Sequence, residues 1–141
     1  MTNVRLGSSY IERARGRLPF LRQMQAAGLH ADVVRESQEI VELALKGVLR
    51  VVGLDPPKEH DVSKYMAKER GRLPAVVVAH LQEIRKMSKR LRRERELAFY
   101  GADDFIPSDE YDVDDSTEAI QSAEAIVGWV EAGLQEIKRP E

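Results

Sequence analysis

Apolar side chains recur along this chain at steps of three and four residues, and no stretch alternates apolar and polar residues for long enough to predict a strand. That spacing places side chains on one face of an α-helix. A glycine, a common residue just beyond a helix end, follows three of these patterns: Gly28, Gly53 and Gly101. The sequence therefore predicts an all-α fold, an up-and-down bundle of four main helices plus one short helix.

The helix boundaries follow from capping residues and from the ends of the apolar patterns. Ser9 and Glu12 have the spacing of a capping box, and Asp32 suits the N-cap of a second helix. The main helices are predicted over residues 9–27, 32–52, 74–99 and 116–139, the short helix near 60–66, and an acidic loop over 102–115. A loop of that length is uncommon in a small domain unless it is functional or mobile.

Length and composition predict one domain over residues 1–141, since this size is usual for a single domain and no repeat or linker divides it. The absence of cysteine excludes a disulfide framework, a thiolate zinc site and a cysteine nucleophile. No apolar run approaches the about 20 residues of a membrane span, and no secretory signal pattern is present. We therefore expect a cytoplasmic protein that does not contact a membrane.

The formal net charge of −2 hides two blocks of opposite sign. Residues 67–95 carry ten basic and three acidic side chains, whereas residues 101–141 carry two basic and twelve acidic ones. Within the basic block, six cations fall in nine positions of one predicted helix: Arg85, Lys86, Lys89, Arg90, Arg92 and Arg93. Such a density suits a phosphate ligand, but it is also typical of a solvated face or of pairing with the acidic segment.

Arg95 differs from these neighbours in its predicted direction. At about 100° per residue, it falls on the same helix face as the apolar residues Ile84 and Leu91. We therefore expect Arg95 to point toward the interior or toward a subunit interface, where an anion must offset the loss of its hydration. That anion is either an acidic side chain of the same fold or the phosphate of a ligand.

Other chemical motifs are absent from the sequence. It contains no Gly-rich dinucleotide or phosphate loop and no nucleophile elbow. The histidines His30, His60 and His80 lack the spacing of metal ligands, and the acidic residues of 103–112 lack the register of a calcium loop. We predict no metal and no cofactor.

Four passages, in the family's order, carry a resemblance to the HEPN ("higher eukaryotes and prokaryotes nucleotide-binding") domain over roughly residues 9–135. Residues 37–49, SQEIVELALKGVL, resemble its second helix, in which an acidic residue precedes a lysine. Residues 59–62, EHDV, resemble the entrance to its short helix, where a histidine is usual. Residues 95–100, RELAFY, stand where an arginine and an aromatic residue precede a variable loop, and residues 115–130 resemble its last helix.

The resemblance implies a helical bundle that commonly dimerises. In the family's ribonuclease branch, often toxins, an arginine acts with a histidine four to six residues later. Here Tyr100 occupies that spacing from Arg95, and no histidine follows Arg95. A phenol, with an ordinary pKa of about 10, is a poor general acid or base near neutral pH. The lack of this histidine favours the family's other branch, whose members resemble partner subunits of minimal nucleotidyltransferases.

Our leading hypothesis is a non-catalytic module, not an enzyme. It either binds the phosphate of a nucleotide or RNA, or docks a minimal nucleotidyltransferase in a toxin–antitoxin-like pair. We expect the module to form a homodimer. The alternative is a metal-independent ribonuclease in which Tyr100 replaces the histidine. In a third possibility, the acidic segment neutralises the basic helix of the same or a neighbouring subunit and leaves no ligand site. The candidate phosphate-binding residues are Arg95, Tyr100, Lys46, His60, Arg92 and Arg93.

Overall fold

A computed structural model describes the chain over residues 2–58 and 61–138. These residues form an all-α bundle and contain no strand, only an isolated bridge between Ala102 and Phe105. The helices are α1 (Thr2–Ala26), α2 (His30–Val51), α3 (Val62–Lys68), α4 (Ala75–Ala79), α5 (Leu81–Phe99), α6 (Pro107–Glu110) and α7 (Val113–Lys138), with a 3-10 turn at Arg70–Arg72. The predicted all-α bundle is confirmed, although the described residues contain three short helices, where one was predicted.

The central element of the bundle is α2, which packs against α1, α5 and α7. Its predicted apolar stripe is buried as far as Val48, and Val52 beyond the helix end is half-buried. The largest fully buried side chains of the core include Ile40, Leu45 and Leu49 from this helix. Because burying one such side chain contributes about 1.5–3 kcal/mol, α2 supplies much of the apolar stabilisation.

The first two helices approach each other closely through two glycines. A Cβ atom added to Gly7 would lie 2.5 Å from the carbonyl oxygen of Gly47 and 2.9 Å from the amide nitrogen of Val51. A Cβ atom added to Gly47 would lie 2.9 Å from the carbonyl oxygen of Gly7. The backbones of α1 and α2 are therefore in contact at a point that admits no side chain.

This contact also explains why α1 begins at Thr2 and not at Ser9 as predicted. Ser9 and Glu12 lie inside the helix, so their capping-box spacing does not mark a helix start here. Gly7, in the additional N-terminal segment, is buried against α2. Tertiary packing therefore extends the helix past a local start signal.

The helix predicted over residues 74–99 is divided at His80, whose φ of −109° and ψ of 12° separate α4 from α5. The β-branched run 76–78 has a low helix propensity, which weakens this segment. The imidazole of His80 stacks on Trp129 of α7, with ring centroids 4.2 Å apart. Glu136 of α7 accepts hydrogen bonds from the first two amides of α4, so contacts with α7 at both ends fix the division.

The segment predicted as a loop over residues 102–115 is partly helical. It contains α6, and α7 begins at Val113 and not at Ser116. Asp112 and Asp115 form a reciprocal pair, in which each backbone amide donates to the other residue's carboxylate at 2.9 and 3.1 Å. This capping box begins the helix three residues earlier than the Ser116–Glu118 signal indicated.

The predicted N-cap of the second helix is wrong: α2 begins at His30 after Leu29, and Asp32 lies in its first turn, where the helix dipole favours a negative charge. Two predicted turns are confirmed. The chain turns at Gly28 and Gly53 with φ values of 80° and 85°, a conformation that glycine adopts without strain. Asp61 caps the short helix α3 by accepting from the amides of Ser63 and Lys64. In the part of the chain that the structure describes, no helix is both long and apolar enough to cross a bilayer.

Candidate functional site

Three arginines from three helices converge on the carboxylate of Glu39, on the exposed edge of α2. A guanidinium nitrogen of Arg95 on α5 lies 3.4 Å from Glu39 Oε1, and one of Arg35 on α2 lies 3.6 Å from the same oxygen. Arg17 of α1 lies 4.0 Å from Oε2 and also pairs with Glu36. One carboxylate therefore contacts three cations, which concentrates positive charge at this edge.

The prediction that Arg95 points into the interior is wrong. Its side chain is 45% exposed, although Leu91 and Ala98 on the same helix face are buried. The helix face is the one expected, because Arg95 does lie beside α2. Its long side chain, however, reaches past the edge of α2 to Glu39 and keeps the guanidinium in contact with water.

A cavity of about 160 Å³ opens next to this cluster, and we call it the Arg95 pocket. It is lined by Arg35, Arg95, Glu96, Phe99 and Tyr100. The guanidinium carbon of Arg35 lies 4.2 Å from the centre of the Phe99 ring, a cation–π contact that holds Arg35 at the pocket wall. Tyr100 meets Phe99 edge to face at 4.6 Å and is 78% exposed. The pocket thus combines two guanidinium groups with an accessible phenol.

About two turns beyond Glu39 on α2, Lys46 pairs with Glu42 at 3.0 Å, as their spacing of four residues suggests. Gln38 donates a second hydrogen bond to Glu42, also at 3.0 Å. Burial alone would raise the pKa of Glu42. The hydrogen bonds from Gln38 and Lys46, helped by the charges of Lys46 and Arg95, outweigh burial and hold the pKa of Glu42 below its ordinary value.

We expect Glu42→Gln to weaken the dependence of the free energy of unfolding on pH in the acid range. A carboxylate with a lowered pKa stabilises the fold above its unfolded pKa, about 4.3, and this stabilisation is lost as the pH falls through the folded pKa. The free energy of unfolding, measured with urea from about pH 6 to pH 3, should fall less steeply for Glu42→Gln than for the wild type. Glu12→Gln, an exposed change on α1, is the control; an identical dependence on pH for all three proteins would contradict the prediction.

The other predicted site residues do not line the Arg95 pocket. Arg92 lies 3.5 Å from Asp61 at the start of α3. Arg93 is exposed on α5 and pairs with no carboxylate among the described residues. His60 lies outside the described residues. The structure therefore brings Arg95 and Tyr100 together, places Lys46 about two turns from Glu39 along α2, and separates Arg92 and Arg93.

The acidic segment pairs mainly with α1 and not with the basic helix. Glu131 pairs with Arg15, and Glu124 pairs with Arg22 at 3.0 Å. Among the residues that the structure describes, the one ion pair between α5 and α7 joins Arg90 and Glu118. Most cations of α5 therefore keep their charge available at the surface.

The sequence analysis did not single out Glu39, Arg35 or Phe99. Arg35 and Glu39 have a spacing of four residues, and this pattern could have marked a charged edge on α2. Phe99 adjoins Tyr100 at the end of α5, where an exposed aromatic pair is unusual. Phe99 lies near Arg95 because the two are four residues apart on α5, whereas the proximity of Arg35 and Glu39 depends on the packing of α2 against α5, which no local pattern encodes.

The family model of the HEPN domain matches residues 8–133, which is most of the chain. The chain belongs to the HEPN-domain family. No curated protein and no solved structure matches it.

Family membership connects this HEPN domain in general with nucleotide- or RNA-related modules. In residues 2–58 and 61–138, no group of three or more His, Asp or Glu side chains is arranged to hold a metal ion. At the Arg95 pocket, two guanidinium groups stand beside an exposed aromatic pair, an arrangement whose donors suit an anion.

Proposed function

We propose that this HEPN domain is a non-catalytic module that binds the phosphate of a nucleotide in the Arg95 pocket and acts as the accessory subunit of a minimal nucleotidyltransferase. The observation that carries the proposal is the sharing of Glu39 by Arg95, Arg35 and Arg17 beside an open cavity. A single carboxylate cannot neutralise three guanidinium groups, and Glu36 compensates Arg17 alone. Counting Glu96 on the pocket rim, acids and arginines balance, but Arg95 and Arg35 share one carboxylate and so retain guanidinium donors that an external anion can use.

The size and lining of the pocket support a phosphate rather than a larger group. A volume of about 160 Å³ is well below the usual 300–1,000 Å³ of a site that encloses a whole ligand. Arg95 and Arg35 can donate paired hydrogen bonds to phosphate oxygens, whereas Glu96 on the rim opposes negative charge from one side. The base and sugar would then lie outside, near the exposed ring of Tyr100.

The positions of the histidines favour binding over cleavage. His30 bonds to the buried Ser116 at 2.9 Å, and His80 bonds to Glu83 and stacks on Trp129. Neither of these two described histidines lines the Arg95 pocket. The alternative, a ribonuclease that uses Arg95 and Tyr100, predicts cleavage of structured RNA that is lost in both Arg95→Ala and Tyr100→Phe. That result would contradict a non-catalytic role.

Calorimetric titration with a nucleoside triphosphate tests the ligand half of the proposal. We expect Arg95→Ala to weaken binding at least about tenfold, because a charge-assisted hydrogen bond to a phosphate contributes roughly 1.5–3 kcal/mol. Arg93→Ala removes the same charge from the same helix outside the pocket and should bind as the wild type does. Equal weakening by both changes would show that only net charge matters.

The proposed docking of a nucleotidyltransferase rests on a cluster of exposed apolar side chains at the same end of the bundle as the Arg95 pocket. Phe99, Tyr100 and Ile106 are all exposed there, and apolar surface of this kind is typical of partner contacts. Co-expression with the adjacently encoded nucleotidyltransferase should yield a complex that co-elutes on size-exclusion chromatography. Failure to co-elute would contradict the docking of a nucleotidyltransferase. The calorimetric titration would still decide whether the pocket binds nucleotide.

A further inference from the structure

A second cavity, separate from the Arg95 pocket, lies along the N-terminal half of α5. It is a groove of about 450 Å³ between α5 on one side and α3 with the 3-10 turn on the other. We call it the α5 groove. Its lining includes the cations Arg70, Arg85, Lys86 and Lys89. None of the residues that line the Arg95 pocket contributes to it.

The four cations of the α5 groove are exposed, and none pairs with a carboxylate elsewhere in residues 2–58 and 61–138. The groove contains two acidic residues, and both are already engaged. Asp61 accepts from the amides that begin α3 and lies 3.5 Å from Arg92, and Glu83 bonds to His80 at 2.9 Å. The groove therefore has four positive and two negative side chains, and both acids of its lining have other partners.

The cations follow the direction of the helix. Arg85 and Lys89 are four residues apart, so they stand about one helical turn, or 5.4 Å, from each other along α5. Arg70 faces them from the other wall of the groove. A linear polyanion lying along α5 would meet a cation at each turn and a further one from the opposite side.

We propose that the α5 groove binds the phosphate backbone of a single nucleic-acid strand without reading its sequence. Its apolar lining is small and aliphatic, Ala67, Val78, Ala79 and Leu81, and among the described lining residues there is no aromatic ring on which a base could stack. Contacts from Arg and Lys to phosphates position a strand but carry no sequence information. The inference does not depend on the proposed function of the Arg95 pocket.

An acidic protein segment fits the α5 groove less well. Protein partners obtain most of their affinity from a few large anchoring side chains that fill apolar pockets. The aliphatic side chains that line this groove, Ala67, Val78, Ala79 and Leu81, are small and stand beside four cations. A flexible chain of evenly spaced phosphates needs only the row of cations.

Fluorescence anisotropy with a labelled single-stranded RNA and a DNA of the same sequence tests this site. The groove variant is the full chain with Arg85→Ala, Lys86→Ala and Lys89→Ala. The matched control carries Arg5→Ala, Arg13→Ala and Arg22→Ala, which remove three exposed charges from α1. All six changes place alanine in a helix, so helical circular dichroism and cooperative urea unfolding should be kept by both proteins.

We expect the groove variant to bind both strands at least about tenfold more weakly than the wild type at 50 mM salt, and the control within about twofold. Between about 50 and 200 mM salt, the slope of log K against log salt should be shallower by about 2 for the groove variant, since each single-strand phosphate contact contributes about 0.7. Equal weakening in both variants, or none in the groove variant, would overturn the proposal. Displacement of the RNA by polyaspartate of equal charge at equal concentration would assign the groove to an acidic protein. Binding of the RNA but not of the DNA would contradict recognition of the phosphate backbone.

Discussion

Replacing Gly7 by alanine lowers the free energy of unfolding by about 2–3 kcal/mol, because the new methyl group overpacks a helix contact that cannot relax. The added Cβ atom would lie 2.5 Å from the carbonyl oxygen of Gly47 and 2.8 Å from Cγ2 of Val51. Backbone atoms on the opposing helix cannot rotate away as a flexible side chain can. The helices α1 and α2 must therefore separate, which loosens the packing of the central helix. Urea unfolding monitored by circular dichroism measures the change.

Gly16→Ala in the same helix is the matched control for this prediction. No heavy atom lies within 4 Å of a Cβ atom at Gly16, so alanine meets open space there. Its higher helix propensity should stabilise the protein by about 0.5–1 kcal/mol. The two alanine variants should thus change stability in opposite directions. If Gly7→Ala were as stable as Gly16→Ala, the close contact of α1 with α2 would be wrong.

The fold was largely predictable because helical periodicity is a local property. The stripe of α7 from Ala119 to Leu134 is buried as its spacing predicts, and the ends of α1 and α2 at Gly28 and Gly53 follow from local turn chemistry. The start of α1 and the division at His80 were not predictable, since both depend on contacts with other helices. Gly7 packs on α2, and His80 stacks on Trp129.

The candidate site was predictable only in part. Arg95 was singled out by its helix face and Tyr100 by the resemblance to the family, and they do line one pocket. The side-chain direction of Arg95 was wrong because a helical wheel gives the direction of the Cβ atom and not the reach of a long cation. Arg35 and Glu39 were missed because they join the site only when α2 and α5 pack together.

Removing the carboxylate of Glu39 raises the affinity of the Arg95 pocket for a nucleoside triphosphate. Glu39 is an internal anion that pairs with Arg95 and Arg35, so a phosphate must compete with it. A like charge a few ångströms from the ligand costs about 1–4 kcal/mol at the dielectric constants of a protein surface. We therefore expect Glu39→Gln to bind at least about tenfold more tightly than the wild type, a gain of about 1.4 kcal/mol.

Glu36→Gln is the matched control for that gain. Glu36 lies one turn before Glu39 on α2 and pairs with Arg17, but it contacts neither Arg95 nor Arg35 within 4 Å. The same loss of one negative charge should therefore change the affinity by no more than about twofold. A comparable gain in both variants would attribute the effect to net charge and not to competition inside the pocket.

The central claim is that Arg95 and its neighbours form an anion site that Glu39 partly occupies. Parallel calorimetric titrations of the wild type, Glu39→Gln and Arg95→Ala with one nucleoside triphosphate test it most directly. We predict that Glu39→Gln binds most tightly, the wild type less tightly and Arg95→Ala most weakly, with at least about tenfold between successive proteins. Indistinguishable affinities for the three proteins, or no binding by any of them, would contradict the claim.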